Sequence, residues 1–317
     1  MKTSTKPASV TVVMYHYVRP LEQTRFPAIK ALRVDEFRRQ LDHIRRHYHP
    51  VRVADIAAAL SCAEPLPPNA ILLTFDDGYL DHFQYVFPIL HAARIEGAFF
   101  PPADAIRHGR LLDVNRIHYL LASGACPSTV IEEINDAVRL NREIYSLADP
   151  SEYWHRWAKP SRFDPAETVY IKRMLQVALP EALRSTIAES LFRKFVTTDE
   201  VSFARELYMD MDQLAMLARC GMYVGSHGVS HRWLDSIGGE EQQREIDESL
   251  SFLREIGSPV DDYWVMCYPY GASNQPLREL LARRACSFAV TVAPGVAELT
   301  MEDRFLLPRI DTNDLPK

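Results

Sequence analysis

Two hydrophobic periodicities alternate along this chain. Val10–Tyr15, Ala70–Phe75 and Gly97–Phe100 are short apolar runs of strand length. Between the first two, Asp35–Tyr48 places Phe37, Leu41 and Ile44 at helical spacing, which gives one apolar stripe. Pro65, Pro67 and Pro68 mark a loop before the second run. A helix is predicted over Asp81–Ile95, kinked or restarted at Pro88, because proline lacks an N–H and its ring clashes with the preceding turn. Beyond Pro101-Pro102 the pattern turns helical, with stretches such as Thr129–Leu140, Pro165–Val177 and Glu181–Phe195. Alternation then resumes: strands over Met222–Ser226, Tyr263–Cys267, Ser287–Val292 and Phe305–Leu307, and helices over Gly239–Ile256 and Gln275–Ala285.

Strands alternating with helices imply an α/β fold built on a largely parallel sheet or barrel. We divide the chain accordingly: residues 1–103 and 216–317 make a discontinuous barrel domain, and residues 104–215 a helical insertion. With 47% hydrophobic and 25% charged residues, the composition suits a globular core and excludes a disordered chain. The 36 Lys+Arg and 42 Asp+Glu leave a net charge of −6, which argues against nucleic acid or anionic lipid as a partner. No apolar run approaches the ~20 residues that a membrane helix needs. Lys2 and Lys6 mimic the start of a signal peptide, but the apolar run behind them is short and ends at His16, so no secretion leader is expected. Five cysteines, odd in number and without a CxxC pair, fit reduced thiols and a cytoplasmic location.

Three motifs carry candidate chemistry, each behind a predicted strand. Thr74-Phe75-Asp76-Asp77-Gly78 puts two carboxylates at the C-terminal end of an apolar run. Reactive groups gather at that end in barrels and open α/β sheets. Adjacent side chains diverge, so one carboxylate can bind a metal while the other acts as a base; the bland alternative is a helix-capping turn. His227 and His231 in Ser226-His227-Gly228-Val229-Ser230-His231 are four apart, and on one helical turn they would face the same side. One Asp with two His supplies three ligands and leaves positions open, as hydrolytic metal sites do. In Cys267-Tyr268-Pro269-Tyr270-Gly271, a tight loop can aim a backbone N–H at a developing oxyanion, or simply end a strand.

In this order, the three motifs resemble the polysaccharide deacetylase family, the NodB-like carbohydrate esterases. The likeness covers residues ~9–103 and ~220–312 and leaves out the insertion; Tyr15-His16-Tyr17 and Tyr268-Pro269-Tyr270-Gly271 resemble one branch of the family. The resemblance implies a distorted, incomplete (β/α) barrel. It implies Asp76 as general base, Asp77, His227 and His231 as ligands of a divalent metal, zinc by default, and the Tyr270 backbone N–H as oxyanion donor. The implied reaction is hydrolysis of an N-acetyl or N-acyl group from an amino sugar of a cell-surface glycan or its precursor. Tyr79 and Tyr268 are expected to line the substrate.

The chain departs from the family in three places. Gly228 stands where Ser or Thr usually follows the first His, with a hydroxyl displaced to Ser230. Cys267 stands where many members carry an Arg paired with the catalytic Asp; Arg309, expected just after the last strand, is the candidate replacement. No His follows His231, so the family's C-terminal Leu-x-His acid is missing, and His16 is the candidate to protonate the leaving amine, with His118 and His155 as further candidates. Trp154 and its neighbours Tyr153 and Trp157 either stack on a sugar or pack the insertion. These departures keep two other functions open: hydrolysis of another amide, such as an N-formyl sugar or a small imide, and glycan binding without catalysis.

Overall fold

The computed structural model describes residues 8–62 and 65–317. The chain forms two compact units. One comprises the residues through Arg19, Ala31–Arg110 and Ala204–Lys317; the other comprises Pro20–Lys30 and Leu111–Phe203. Compared with the expected 104–215 insertion, the helical unit also takes in residues 20–30, while residues 104–110 and 204–215 group with the strands.

The first unit is built on β1 (Ser9–Tyr15), β2 (His49–Pro50), β3 (Ala70–Asp76), β4 (Gly97–Phe100), β5 (Tyr223–Val224), β6 (Val265–Cys267), β7 (Phe288–Pro294), β8 (Ala297–Glu298) and β9 (Leu307–Asp311). Seven of these follow one path, β5-β4-β3-β1-β9-β7-β6, with parallel pairing throughout. β2 adds to β3 and β8 to β1. The ends of the path meet at one bridge. Ser226, just past β5, donates its N–H to the Val265 carbonyl (3.0 Å) and accepts from the Cys267 N–H (2.8 Å). The sheet is thus a curled, parallel half-barrel, as the alternation of strands and helices implied.

Helices α1 (Val34–His47), α2 (Val53–Cys62), α3 (Phe87–Ala93) and α4 (Ala103–His108) lie in the first half of this unit. The helical unit contains α5 (Asp113–Ala122), α6 (Pro127–Tyr145), α7 (Pro150–Trp157), α8 (Ala166–Arg173) and α9 (Glu181–Phe195); α10 (Glu200–Leu207) spans the boundary. After it come α11 (Met211–Arg219), α12 (Gly239–Glu255) and α13 (Gln275–Arg283). Pro88 restarts a helix as expected: a π-helical turn over His82–Val86 leads into α3, where Pro88 occupies the first turn and needs no N–H partner. The last strand begins two residues later than predicted and extends through Arg309. Pro308 and Arg309 interrupt the apolar run, but pairing to β1 and β7 decides the strand.

Strand side chains alternate between faces. Val10 and Val12, Ala70 and Leu72, Ala98 and Phe100, Val265 and Cys267, Phe288 and Val290, and Leu307 belong to one buried cluster. Each set steps by two, so these residues share the inner face. The same step carries β3 on to Thr74 and Asp76 and β9 on to Arg309. All three side chains are buried. The inner face is therefore apolar at the N-terminal ends of the strands and turns polar at their C-terminal ends. The helical unit has its own core, in which Ile134, Val138, Tyr170, Ile171, Met174 and Ile187 pack together.

Candidate active site

β3 ends in two carboxylates that point to different partners. Asp76 keeps the inward parity of Leu72 and meets Arg309 from β9. The guanidinium donates from Nη1 to Oδ1 (2.9 Å) and from Nη2 to Oδ2 (2.8 Å), a two-pronged ion pair with both side chains nearly inaccessible. Arg309 also donates to Thr74 Oγ1 (3.0 Å) and to the Thr291 carbonyl (2.7 Å), and Cys267 donates its Sγ–H weakly to Asp76 Oδ1 (3.5 Å). Burial alone would raise the Asp76 carboxyl; the opposing Arg309 charge outweighs it and holds the pKa at about 2. The guanidinium expected just after the last strand thus sits inside β9. It forms the carboxylate pairing that Cys267 cannot.

Asp77 turns away because its backbone is left-handed (φ 70°), a conformation aspartate tolerates better than most residues. Tyr79 donates its hydroxyl to Asp77 Oδ2 (2.6 Å). Oδ1 faces the imidazoles, 3.4 Å from His227 Nε2 and 3.2 Å from His231 Nε2. Burial raises the Asp77 carboxyl, yet the two imidazoles beside it hold it well below the usual carboxylate range. His227 Nδ1 donates to the Cys267 carbonyl (2.6 Å), so in the neutral ring Nε2, which faces Asp77, is the nitrogen that can ligate a metal. Burial holds His231 below the ordinary imidazole pKa, which favours the neutral form that ligates metals.

The histidines do not share a helical turn, as the spacing suggested. Residues 227–231 form an irregular loop in which Gly228 (φ 71°) and His231 (φ 58°) are both left-handed. Two reversals of the backbone, rather than a 3.6-residue repeat, bring the rings to 4.9 Å between centroids. Gly228 takes the place of a hydroxyl residue for a steric reason: a Cβ there would lie 2.9 Å from Glu245 Oε2.

One carboxylate oxygen and two imidazole nitrogens, all buried and within 4.8 Å of one another, make a donor set for a divalent cation. Asp77 Oδ1 is buried and has no hydrogen-bond partner, which is the condition a missing cation would relieve. A second grouping, Asp76, His227 and Cys267, fits less well. Asp76 is already committed to Arg309, and burial pushes the Cys267 thiol up, away from the thiolate that binds metals.

His16, at the end of β1, is the accessible group of the cluster. Its side chain is 42% exposed, and Nε2 lies 3.9 Å from Asp76 Oδ2. Below it, His82 is buried, and desolvation lowers its pKa to about 4; it donates Nε2–H to the His16 carbonyl (2.7 Å). Tyr270 follows β6 in a turn of its own, with φ 58°, its ring 4.8 Å from that of His231 and stacked on Trp233 at 4.5 Å and 6°. Tyr79 and Tyr268, expected to line the substrate, are instead fully buried at 0% exposure. Tyr79 stacks between Tyr17 and Tyr208 and acts on Asp77, and Tyr268 lies in the core. In the helical unit, Tyr153 and Trp157 pack against that unit's core, whereas Trp154, its ring 5.0 Å from that of Tyr170, remains 38% exposed. Sequence reasoning missed Glu245, whose signal was a polar residue on the apolar side of α12.

A family model described as polysaccharide deacetylase matches residues 192–287. Over 72 residues the chain is 39% identical to the poly-β-1,6-N-acetyl-D-glucosamine N-deacetylase of Escherichia coli (strain K12), covering 22% of this chain and 11% of that protein. The chain thus matches about a tenth of that relative's length. Among solved structures, the Streptococcus pyogenes deacetylase PplD, determined in complex with acetate, aligns with a TM-score of 0.57 at 16% identity, covering 98% of this chain and 95% of that one. IcaB from Ammonifex degensii aligns with a TM-score of 0.55 at 17% identity, covering 97% and 93%. These two likenesses are of fold.

Proposed function

We propose that the chain is a member of the polysaccharide deacetylase family, whose model matches residues 192–287, and that it hydrolyses the N-acetyl group of an amino sugar in a cell-surface polysaccharide or its precursor. The observation that carries this reading is the pairing of two environments on adjacent residues. Asp77 faces two imidazoles, while Asp76, held by Arg309, stays ionised beside an accessible imidazole.

Asp77 Oδ1 and the Nε2 atoms of His227 and His231 would hold the cation, and zinc suits one carboxylate with two imidazoles. When bound, it supplies Lewis acidity, lowering the pKa of water and drawing charge from an amide carbonyl. The Asp76 carboxylate takes the proton of the attacking water. With its pKa near 2 it is a weak base, so it suits a water that is already acidified. The oxyanion formed on the acyl carbon accepts the Tyr270 backbone N–H. The C–N bond then breaks, His16 gives its proton to the departing nitrogen, and acetate and a free amine leave. Asp76 returns its proton to solvent, and His16 is reprotonated.

The test pairs elemental analysis with acetate release from N-acetylglucosamine oligomers. We expect about one divalent cation per parent chain and none in His227→Ala/His231→Ala. Asp76→Asn should keep the metal and lose acetate release by a factor on the order of 100 or more. A parent chain without metal, or undiminished turnover in Asp76→Asn, overturns the assignment. No acetate from these oligomers, with formate released from an N-formyl amino sugar instead, would correct the acyl group.

A further inference from the structure

We propose that Glu245 is the positioning residue that shapes the two-histidine loop for its cation, and that it does so by taking up the loop's backbone N–H groups. The proposal rests on the reading of Asp77, His227 and His231 as cation ligands.

Glu245 lies on α12 and is only 8% exposed. Buried carboxylates are rare unless their oxygens are satisfied. Among the described residues, its hydrogen-bond partners are Val229 and Ser230, which lie between the histidines. Oε2 accepts the Val229 N–H (2.7 Å) and the Ser230 N–H (3.2 Å), and Oε1 accepts the Ser230 hydroxyl. The carbonyls of the same loop point the other way. Gly228 O accepts from the Ala103 N–H (3.2 Å) and Val229 O from the Asp104 N–H (3.0 Å), both in the first turn of α4. The loop is therefore gripped on both polar edges, by a carboxylate on one side and a helix start on the other.

This grip replaces what a helix would have supplied. A helix would pair the loop's N–H groups internally and set i and i+4 side by side. The loop instead reverses at Gly228 and His231, and a residue such as histidine at φ 58° persists only where its surroundings impose that conformation. A Cβ at 228 would approach Oε2 to 2.9 Å, so any other residue there would push against the carboxylate as well as strain a left-handed backbone. Glu245 holds the backbone N–H groups of Val229 and Ser230, so it acts on the ligands through the backbone that carries them.

The test titrates the intact protein with Co2+ alone, measuring affinity by competition with a chromophoric chelator and ligand geometry from the cobalt visible spectrum. Thermal melts of the metal-free protein run alongside. Glu245→Ala should weaken Co2+ binding on the order of 10- to 100-fold and change the cobalt spectrum. Glu245→Gln, which keeps one oxygen for the N–H groups, should stay within a few-fold of the parent. A variant that is merely less stable would melt earlier yet keep the parental spectrum and affinity, and that result overturns the proposal. If Glu245→Ala does not fold, Ser230→Ala decides: several-fold weaker binding supports the role, and parental binding overturns it. His231→Ala serves as control. If it binds Co2+ as the parent does, the cation reading itself fails; if it loses binding while Glu245→Ala keeps it, Glu245 alone is misassigned.

Discussion

At the residue scale, the pair Asp76–Arg309 sets the electrostatics of the cluster. The folded-state pKa of Asp76 is about 2, below the 3.8 of a free aspartate. Its contribution to stability is therefore fully present above about 4 and is lost as the pH falls through 2. Arg309→Met removes the charge that opposes burial, so the Asp76 pKa should move above its ordinary value. A pH–rate profile should then show the acidic limb shifted upward by a unit or more, and an unshifted limb would count against the pairing's role in catalysis. The same change leaves a buried carboxylate alone and should cost about 3–5 kcal/mol in denaturant unfolding. A group with less at stake is Tyr79. Tyr79→Phe removes the hydroxyl that holds Asp77 Oδ2 but keeps the stack on Tyr17. We expect cation affinity to fall on the order of 10-fold with little change in melting temperature, measured by chelator competition.

At the scale of elements, the strand ends decide where chemistry sits. Gly78 follows Asp77 in a left-handed conformation (φ 68°), and a Cβ there would lie 2.8 Å from Pro101 Cβ. Gly78→Ala should therefore destabilise the protein by about 1–3 kcal/mol and displace the Asp77 turn, read as a lower melting temperature together with weaker cation binding. Much of this was legible in sequence. The runs behind Asp76, His227 and Cys267 are strands, whereas Arg309, expected just after the last strand, joins the face of Leu307 because β9 extends to Asp311. The bend at His227–His231 was not legible, because it depends on Glu245 from α12 and on N–H donors from α4, neither of which is local in sequence. Tyr79 misled for a related reason. Its position behind Asp-Asp-Gly suggests a lining role, but Tyr17 and Tyr208, from distant segments, enclose it. Helices such as α2 and α5 escaped because pattern reading weighs a long stripe more readily than a short, mixed one.

At the scale of the molecule, Asp76, Asp77, His227, His231 and Arg309 belong to the strand-built unit, while the helical unit buries a core of its own. Ile134→Ala should accordingly cost about 2–5 kcal/mol of stability through the cavity it leaves, yet Co2+ affinity should match the parent. Calorimetry and chelator competition on the same sample test both halves. The odd–even rule of the strands also sets a limit on tolerated insertions and deletions. If a residue lost before β9 drew that strand back by one place, Ile310 would swing in where Arg309 now stands, and a greasy side chain would cap an ionised carboxylate. Frame, rather than composition, guards the chemistry here: length changes should be absorbed in the turns behind the strands and should be lethal to activity within them.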